Sequence, residues 1–481
     1  MTIQDLLNTI KTNNPEADLD LVKLAYEFAQ KAHKGQKRLS GEDYIQHPLH
    51  TAQILAEMRA DITSIIAGLL HDVPEDTNYT IQDIEKDFGK EVASLVDGIT
   101  KLGKIKYRGI ERYVENLRKM FIAMATDIRT ILIKLADRLH NLKTLSALPP
   151  KKQYRIALET LEIYTPCAGR LGMRHIKREL EDAAFPYVYP KEYKWVKSIA
   201  SIKYKEKEKY LEKVKKILEQ ELRKASIKFF SVQGRAKGLY SLYRKLLSYD
   251  RDISKIYDLI ALRIIVENIS ECYATLGIIH SKWNPFKNRF KDYIAQPKPN
   301  GYQSLHTTVF CEGREIVEFQ IRTRKMHEEA EYGIAAHWHY NEKGSVVFDS
   351  KHFKWVQELA KWQEEAKDYK KYLEDLESLK IDVFRNRIFV FTPQGDVIDL
   401  PEDSTPIDFA YYIHTDIGNK CSGARVNDQI ASLDTKLKSG DVVEIITDKN
   451  RKSPNPDWLK FVKTRSAASR IRSQIRVSAQ S

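Results

Sequence analysis

KIYDLIALRIIV, residues 255–266, is apolar at nearly every position. A strand points successive side chains to opposite faces, so a run that is apolar on both belongs in the middle of a sheet covered on each side. TTVF (307–310) and REIVEFQIR (314–322) follow as further strands, which predicts an α/β domain from Phe229 onward. Past Lys255 at the start of the run, Asp258 shares the strand with only one charge, Arg263. Burying a lone carboxylate is costly unless a cation meets it, which makes Asp258 a candidate for Mg²⁺. In VEFQIR the alternation sends Glu318, Gln320 and Arg322 to one face and Val317, Phe319 and Ile321 to the other. Chemistry is expected on the polar face.

Immediately upstream, GRAKGLYSLYRKL (234–246) gathers Arg235, Lys237, Ser241 and Lys245 with no acid among them. The last three are spaced i, i+4, i+8, predicting one cationic helical face. Clustered cations with a hydroxyl suit a polyphosphate. Between the strands runs RFKDYIAQPKPNGYQSLHTTV (289–309), where Pro297, Pro299 and Gly301 shape a loop presenting Lys298, Asn300 and Tyr302. An exposed Tyr beside a Lys is what stacking on a base requires, although a tyrosine near a turn is by itself ordinary.

Farther out the pattern changes on both sides. Up to about residue 195 it is helical: Leu21, Leu24, Ala25, Phe28, Ala29 and Ala32 fall at i, i+3, i+4 spacing, and similar stripes recur through Leu180. YKEKEKYLEKVKKILEQELRK (204–224) is a helix too polar to bury more than one face, and is read as a connector. A second charged helical stretch, 351–380, leads to a β-rich segment, RIFVFTPQGDVIDLP through GDVVEIIT (387–447), with turns at Gly395 and Gly440.

The helical region carries a second constellation. His47 follows GEDYIQ, His71 and Asp72 lie in LLHDVPEDT, and Asp137 lies in KLADRLHNL. Two imidazoles and two carboxylates suit a divalent ion of the Mn²⁺ type, which takes mixed N and O ligands. Glu75 and Asp76 follow the HD doublet closely, and a carboxylate there could activate water. Pro74 argues for a helix end or kink, placing Glu75 and Asp76 at a C-terminal edge. Asp137, Asn141 and Thr144, at i, i+4, i+7, share one helical face that is either a site or solvent-facing. GITKLGK (98–104) imitates a phosphate-binding loop, but Ile105 replaces the hydroxyl residue and no strand precedes it, so an interhelical turn is expected. His337 and His339 in AAHWHY read as structural.

The 481 residues suffice for about three domains. With 42% hydrophobic and 30% charged residues and no long apolar run, membrane and disordered classes are not supported. The N-terminus shows no secretory pattern, so a cytoplasmic protein is expected. Cys167, Cys272, Cys311 and Cys421 are isolated, which argues against a zinc ribbon or a disulfide framework. The net charge of +13 is unevenly spread: residues 449–481 hold nine Lys or Arg against one Asp, Asp457. Such a tail either meets phosphate or is a solvated helix face.

HDVPEDT with KLADRLHNL, GRAKGLYS, PKPNGYQSLHTTV with VEFQIRT, and the β-rich segment together resemble the long Rel (RelA/SpoT-type) synthetase/hydrolases of the alarmone (p)ppGpp, over residues 1 to about 475. The resemblance implies a multidomain chain: an all-α HD hydrolase domain with C-terminal linker helices (1–195), an α/β nucleotidyltransferase-like synthetase domain (196–345), a helical connector (346–384), a small α+β TGS domain (385–449) and the start of a truncated basic helical region (450–481). It implies that His47, His71, Asp72 and Asp137 hold Mn²⁺, that Glu75 and Asp76 activate water for removal of the 3′ pyrophosphate, and that Arg38, Ser40, Tyr44, Asn141 and Thr144 bind the nucleotide. In the synthetase, Arg235, Lys237, Ser241, Lys245 and Arg263 would grip ATP and Asp258 would carry Mg²⁺. Glu318 would assist the metal and deprotonate the 3′ hydroxyl of GDP or GTP, and Lys298, Asn300, Tyr302 and His306 would complete that acceptor site. Arg289, Phe290, Lys291 and Asp292 spell the RxKD loop of bifunctional members. In the TGS segment the position matching the family's contact with uncharged tRNA on the ribosome is His414, in YYIHTDIGNK, which could equally cap its loop. Leu39, Cys167 and Gly169 depart from the family pattern, the first weakening an expected phosphate contact and the others loosening a helix. The rival expectation is a non-catalytic tRNA- and ribosome-binding regulator whose nucleotide sites are sensors.

Overall fold

A computed structural model describes residues 1–103, 126–256, 259–287, 289–298, 301–333, 335, 387–393, 397–438, 441–448, 451 and 453–478. Asp258, Asn300, His337, His339, Gly395, Gly440 and the charged stretch 351–380 lie outside the described residues, so the expectations for them are carried by sequence alone. The chain forms two compact units, Met1–Gln363 and Glu364–Ser481.

The first unit opens with helices α1 (Ile3–Asn13), α2 (Leu19–Ala32), α3 (Gln46–Glu57), α4 (Ile62–Leu70), α5 (Val73–Asp76), α6 (Ile81–Gly103, broken at Gly89) and α7 (Arg129–Lys143). Asp18 caps α2 and Asp61 caps α4 through side-chain oxygens. The apolar stripe of α2 buries Val22, Ala25 and Ala29, whereas α4 and α7 are buried nearly all round. Gly98 to Gly103 continues α6 instead of forming the expected interhelical turn, because Leu95, Val96 and Ile99 keep one face of that helix in the core. Next come α8 (Pro150–Glu159), a π turn (Thr160–Tyr164), α9 (Thr165–Arg170), α10 (Arg174–Val188) and the 35-residue α11 (Pro190–Lys224).

Helix α11 is more than a connector. Its charged face is solvated, but Leu211, Val214, Leu218 and Leu222 enter the same core as Val232, Leu262, Ile264 and Phe319 of the sheet. A sequence stripe this sparse looks like a solvated helix until a sheet is available to cover it. The sheet contains β1 (Phe229–Ala236), β2 (Ile260–Val266), β3 (Asn284–Pro285), β4 (Lys291–Asp292), β5 (Leu305–Phe310) and β6 (Ile316–Thr323), in the order β1-β2-β6-β5-β3, with β4 beside β5. Strand β2 is buried along its whole length, antiparallel to β1 and parallel to β6, as its two apolar faces require. Helices α12 (Leu239–Leu247), α13 (Ile269–Lys282) and α14 (Arg324–Tyr332) complete the layer. In the expected alternation on β6, Val317, Phe319 and Ile321 are buried while Glu318 and Gln320 stay partly open; Arg322 departs from it, fully buried against Glu331 at 3.0 Å.

The second unit holds β7 (Arg387–Phe391), β8 (Val397–Pro401), α15 (Pro406–Ile413), α16 (Thr415–Asn419), β9 (Cys421–Val426), β10 (Gln429–Ala431), β11 (Val443–Thr447) and α17 (Arg465–Ser478). The basic tail does not hang free: Ala467 and Ile471 of α17 join Tyr411 and Trp458 in one core, and Asp408 accepts from the Lys463 and Thr464 backbone amides. Among the described residues no helix is long and apolar enough to cross a membrane, and all four cysteines are free and buried.

Candidate active sites

The first candidate site lies where α4 stops. His71 closes α4 and Asp72 precedes α5, so the HD doublet occupies a break between two helices and Pro74 sits in the first turn of the second. Glu75 and Asp76 lie in that short second helix and not at the C-terminal edge of the helix leading to the HD doublet, because that helix stops at Leu70 and Pro74, with its fixed φ, starts the next one. The His71 Nδ1–H donates to the Gly68 carbonyl at 2.8 Å, which leaves Nε2 with its lone pair. That Nε2 is buried without a hydrogen-bond partner and lies 3.1 Å from Asp72 Oδ1. His47, from α3, places Nε2 at 3.2 Å from Asp137 Oδ1 and 3.4 Å from Asp72 Oδ2. Ligand atoms of His47, His71 and Asp137 all fall within 4.8 Å of one another.

Burial lowers the His47 imidazolium, keeping the ring neutral as a ligand must be. Burial alone would raise the Asp137 carboxyl, but the Lys134 ammonium at 2.7 Å holds it well below the ordinary range. Asp72 is likewise held low, His71 and His47 outweighing its burial. Two imidazoles, two carboxylates and an orphaned nitrogen fit a divalent cation with mixed N and O ligands.

A cleft of about 450 Å³ opens beside this cluster, lined by Arg38, Ser40, Tyr44, Asp137, Asn141 and Thr144. All five residues expected to bind nucleotide therefore meet at one place. Leu39 lies among them, 76% exposed. The Tyr44 hydroxyl donates to Asp76 and, at 3.1 Å, to Asp72, tying the candidate base to a candidate ligand. Partial desolvation raises the Glu75 carboxyl, although its tip is exposed. Three neighbours were not singled out in the sequence. Lys134 and Arg138 line the cleft, and His140 is buried with Nδ1 at 2.7 Å from His47 Nδ1, its imidazolium driven down to about 2 by burial and by its neighbours His47, His50 and Arg38. For Lys134 and His140 the signal was the spacing within KLADRLHNL, one turn before and after Asp137; Arg138 follows Asp137 directly.

The second candidate site lies on the open face of the sheet. Arg235, Lys237, Ser241, Glu318 and Gln320 line one pocket of about 290 Å³. Lys245 and Glu318 line an adjoining one with Arg289, and Arg235 with Arg263 a third beside Glu331. The cations converge, but not as one helical face: α12 begins at Leu239, and Lys237 precedes it, its amide bonded to the Leu259 carbonyl. Gly238 breaks the period between them. Gln320 Nε2 donates to Glu318 Oε1 at 2.9 Å, and His306 Nδ1 stands 3.2 Å from the same oxygen. His306 Nε2 pairs with the Tyr302 hydroxyl at 2.8 Å. The loop turns at Gly301, whose φ of +75° favours glycine, returning Tyr302 to bond the Lys298 amide.

Tyr302 is not exposed, as its position in a turn suggested; it is 3% accessible. The Arg174 guanidinium covers its ring at 3.7 Å from the centroid. Arg174 comes from α10, which also sends Lys177, Arg178 and Glu181 into the same pocket. Ser241 Oγ donates to Glu181 at 3.2 Å, and the Tyr240 amide to Asp182 at 3.0 Å. A methyl on Gly238 would stand 2.9 Å from Arg178 and Asp182, so the missing side chain lets α10 approach. The acids absent from GRAKGLYSLYRKL thus arrive from a distant helix.

In the second unit His414 ends α15 and caps α16, its Nδ1 accepting from the Asp416 amide at 3.2 Å, while 65% of the side chain remains exposed.

Three family models match the chain: "HD domain" over residues 25–174, "Region found in RelA / SpoT proteins" over 234–345 and "TGS domain" over 388–447. A protein of Myxococcus xanthus named GTP pyrophosphokinase is 49% identical over 97% of this chain and 62% of its own length. The guanosine-3′,5′-bis(diphosphate) 3′-pyrophosphohydrolase of Aquifex aeolicus is 47% identical over 98% of this chain and 67% of its own. The bifunctional (p)ppGpp synthase/hydrolase SpoT of Escherichia coli K12 is 46% identical over 98% and 66%. The chain spans roughly two thirds or less of the length of these relatives.

Proposed function

The chain belongs to the RelA/SpoT family, and on that premise we propose that it carries two opposed activities: synthesis of (p)ppGpp from ATP and GDP or GTP, and hydrolysis of (p)ppGpp at the 3′ position. The observation that carries this reading is the presence in one chain of two separate charged sites. One is a His₂Asp₂ cluster beside a cationic cleft; the other is a cationic pocket on a sheet, lined also by Glu318.

In hydrolysis, His47, His71, Asp72 and Asp137 would hold Mn²⁺, which supplies charge stabilisation to the leaving pyrophosphate. Arg38, Ser40, Tyr44, Asn141 and Thr144 hold the nucleotide. Glu75 and Asp76 take the proton from the attacking water, Tyr44 orienting Asp76. In synthesis, Arg235, Lys237, Ser241, Lys245 and Arg263 grip ATP, and Asp258 with Glu318 would hold Mg²⁺. Glu318 accepts the proton of the 3′ hydroxyl, whose oxygen bonds to the β phosphorus as the bond to the α-phosphate oxygen breaks and AMP leaves. Lys298, Asn300, Tyr302 and His306 position the guanosine nucleotide. Positioning and charge stabilisation supply most of such catalysis. The RxKD residues Arg289, Phe290, Lys291 and Asp292 accord with both activities.

Four free buried cysteines accord with a reducing, cytoplasmic setting. His414, exposed beside Tyr412, is the proposed contact for uncharged tRNA on the ribosome, the basic tail adding phosphate attraction. Replacing His414 by Ala in the full-length protein should reduce tRNA-dependent activation; unchanged activation would remove the residue from the mechanism.

The test of the main reading is to incubate the chain with labelled ATP, GDP and Mg²⁺, and separately with ppGpp and Mn²⁺. A 3′-pyrophosphorylated product in the first case and GDP with pyrophosphate in the second are expected. Nucleotide binding with neither product would favour the sensor reading.

A further inference from the structure

We propose that His140 is a positioning residue that fixes the tautomer of His47 and so aims its Nε2 lone pair at the divalent cation. This assignment rests on the metal reading above and goes beyond the ligand set itself.

The proton positions follow from one group that can only donate. Arg38 Nη1 stands 3.2 Å from His140 Nδ1, and a guanidinium has donors but no acceptor. His140 Nδ1 must therefore be the acceptor, with the ring proton on Nε2. His47 Nδ1 lies 2.7 Å from that same atom. Two unprotonated nitrogens would repel at this distance, so His47 Nδ1 carries the proton and donates it. Its Nε2 is then the nitrogen turned to the carboxylates, 3.2 Å from Asp137 Oδ1 and 3.4 Å from Asp72 Oδ2, where a bound cation would take its lone pair. His71 reaches the same state through the Gly68 carbonyl. The two imidazoles are thus set by different acceptors, one of main chain and one of side chain.

The arrangement is built, not incidental. His140 is 4% exposed and its ring stacks on His50 at 4.6 Å, while His50 Nδ1 bonds the Gln46 carbonyl at 2.7 Å. Arg38 reaches the second ligand as well: Nη2 donates to Asn141 Oδ1 at 2.6 Å, and Asn141 Nδ2 donates to Asp137 Oδ1. One guanidinium orients two ligand side chains, each through a residue of α7. Outer partners of this kind typically change metal affinity about 10- to 100-fold when lost.

The probe is Mn²⁺ alone, titrated into the metal-free chain and followed by electron paramagnetic resonance of the free ion. His140→Leu keeps the approximate volume and removes the acceptor; affinity should fall about 10- to 100-fold. His140→Asn offers Oδ1 close to the place of Nδ1 and should bind Mn²⁺ within about threefold of the parent. Equal affinity of the Leu variant and the parent would overturn the proposal, as would an equal loss in both variants, which marks a ring needed only for packing. A parent chain that binds no Mn²⁺ would instead overturn the metal reading. Nitrogen-15 spectra of the metal-free parent report the tautomer directly, whatever the folding of any variant. His47 should carry a proton on Nδ1, and an unprotonated Nδ1 would contradict the assignment.

Discussion

Arg174 covers one face of the buried Tyr302 ring, so a base that stacks on that face, as proposed, must displace the guanidinium. Stacking on a base is worth about 1 to 3 kcal/mol, hence Tyr302→Ala should raise the KM for GDP about 5- to 100-fold and that for ATP much less. A larger effect on ATP, measured in initial-rate synthesis assays, would place the loop elsewhere. Burial, aided by Arg174, lowers the Lys298 ammonium to about 8. A lysine loses its charge as pH rises through its pKa, so kcat/KM for GDP should decline above pH about 8. Lys298→Arg should flatten that decline in a pH series. At this scale the histidine and carboxylate cluster was readable because His, Asp and Glu crowd into two short motifs. Arg174 was not readable: nothing in RLGMRHIK marks an arginine that will cover a tyrosine far along the chain.

Helix α11 shows what local pattern cannot contain. Its mixture of Lys and Glu reads as a solvated rod, yet Leu218 is 1% exposed in the core of the sheet. Leu218→Ala should destabilise the first unit by about 2 to 5 kcal/mol in denaturant unfolding, whereas an effect under about 0.5 kcal/mol would make the helix a mere spacer. Strand β2 was legible, because a run apolar on both faces has few other places to go. The cationic face of GRAKGLYSLYRKL was half legible: Arg235, Lys237 and Ser241 share one pocket and Lys245 lines the adjoining one, but Gly238 delays the helix, and Lys237 arrives from the strand's exit. Gly169 has a neighbour that explains it in part. A methyl there would come within 3.2 Å of Lys177, a residue that also lines the synthetase pocket.

Across the first unit, α10 packs against α7, which carries Asp137 and Asn141, and at the same time fills the synthetase pocket with Arg174, Lys177 and Glu181. Lys143 faces Glu179 at 3.8 Å along that contact, and Arg59 pairs with Glu328 at 2.8 Å on another seam. A nucleotide that shifted α7 would press on the helix that places Arg174 on Tyr302 and Glu181 on Ser241. Calorimetric titration should show that a guanosine nucleotide held in the hydrolase cleft weakens GDP and ATP binding, and that these weaken its own affinity by the same factor, since coupling is reciprocal. Independent binding would exclude this coupling. Coupled or not, the proposed function gives the two opposed reactions to two separate sites, so their chemistry should be separable by single substitutions. Both reactions are therefore to be assayed in Asp72→Ala and in Glu318→Gln. Asp72→Ala should abolish hydrolysis and leave synthesis running; Glu318→Gln, which keeps shape and loses the base, should cut synthesis by about 10²-fold or more and leave hydrolysis intact. Folded variants that each lose both activities together would contradict two separate sites.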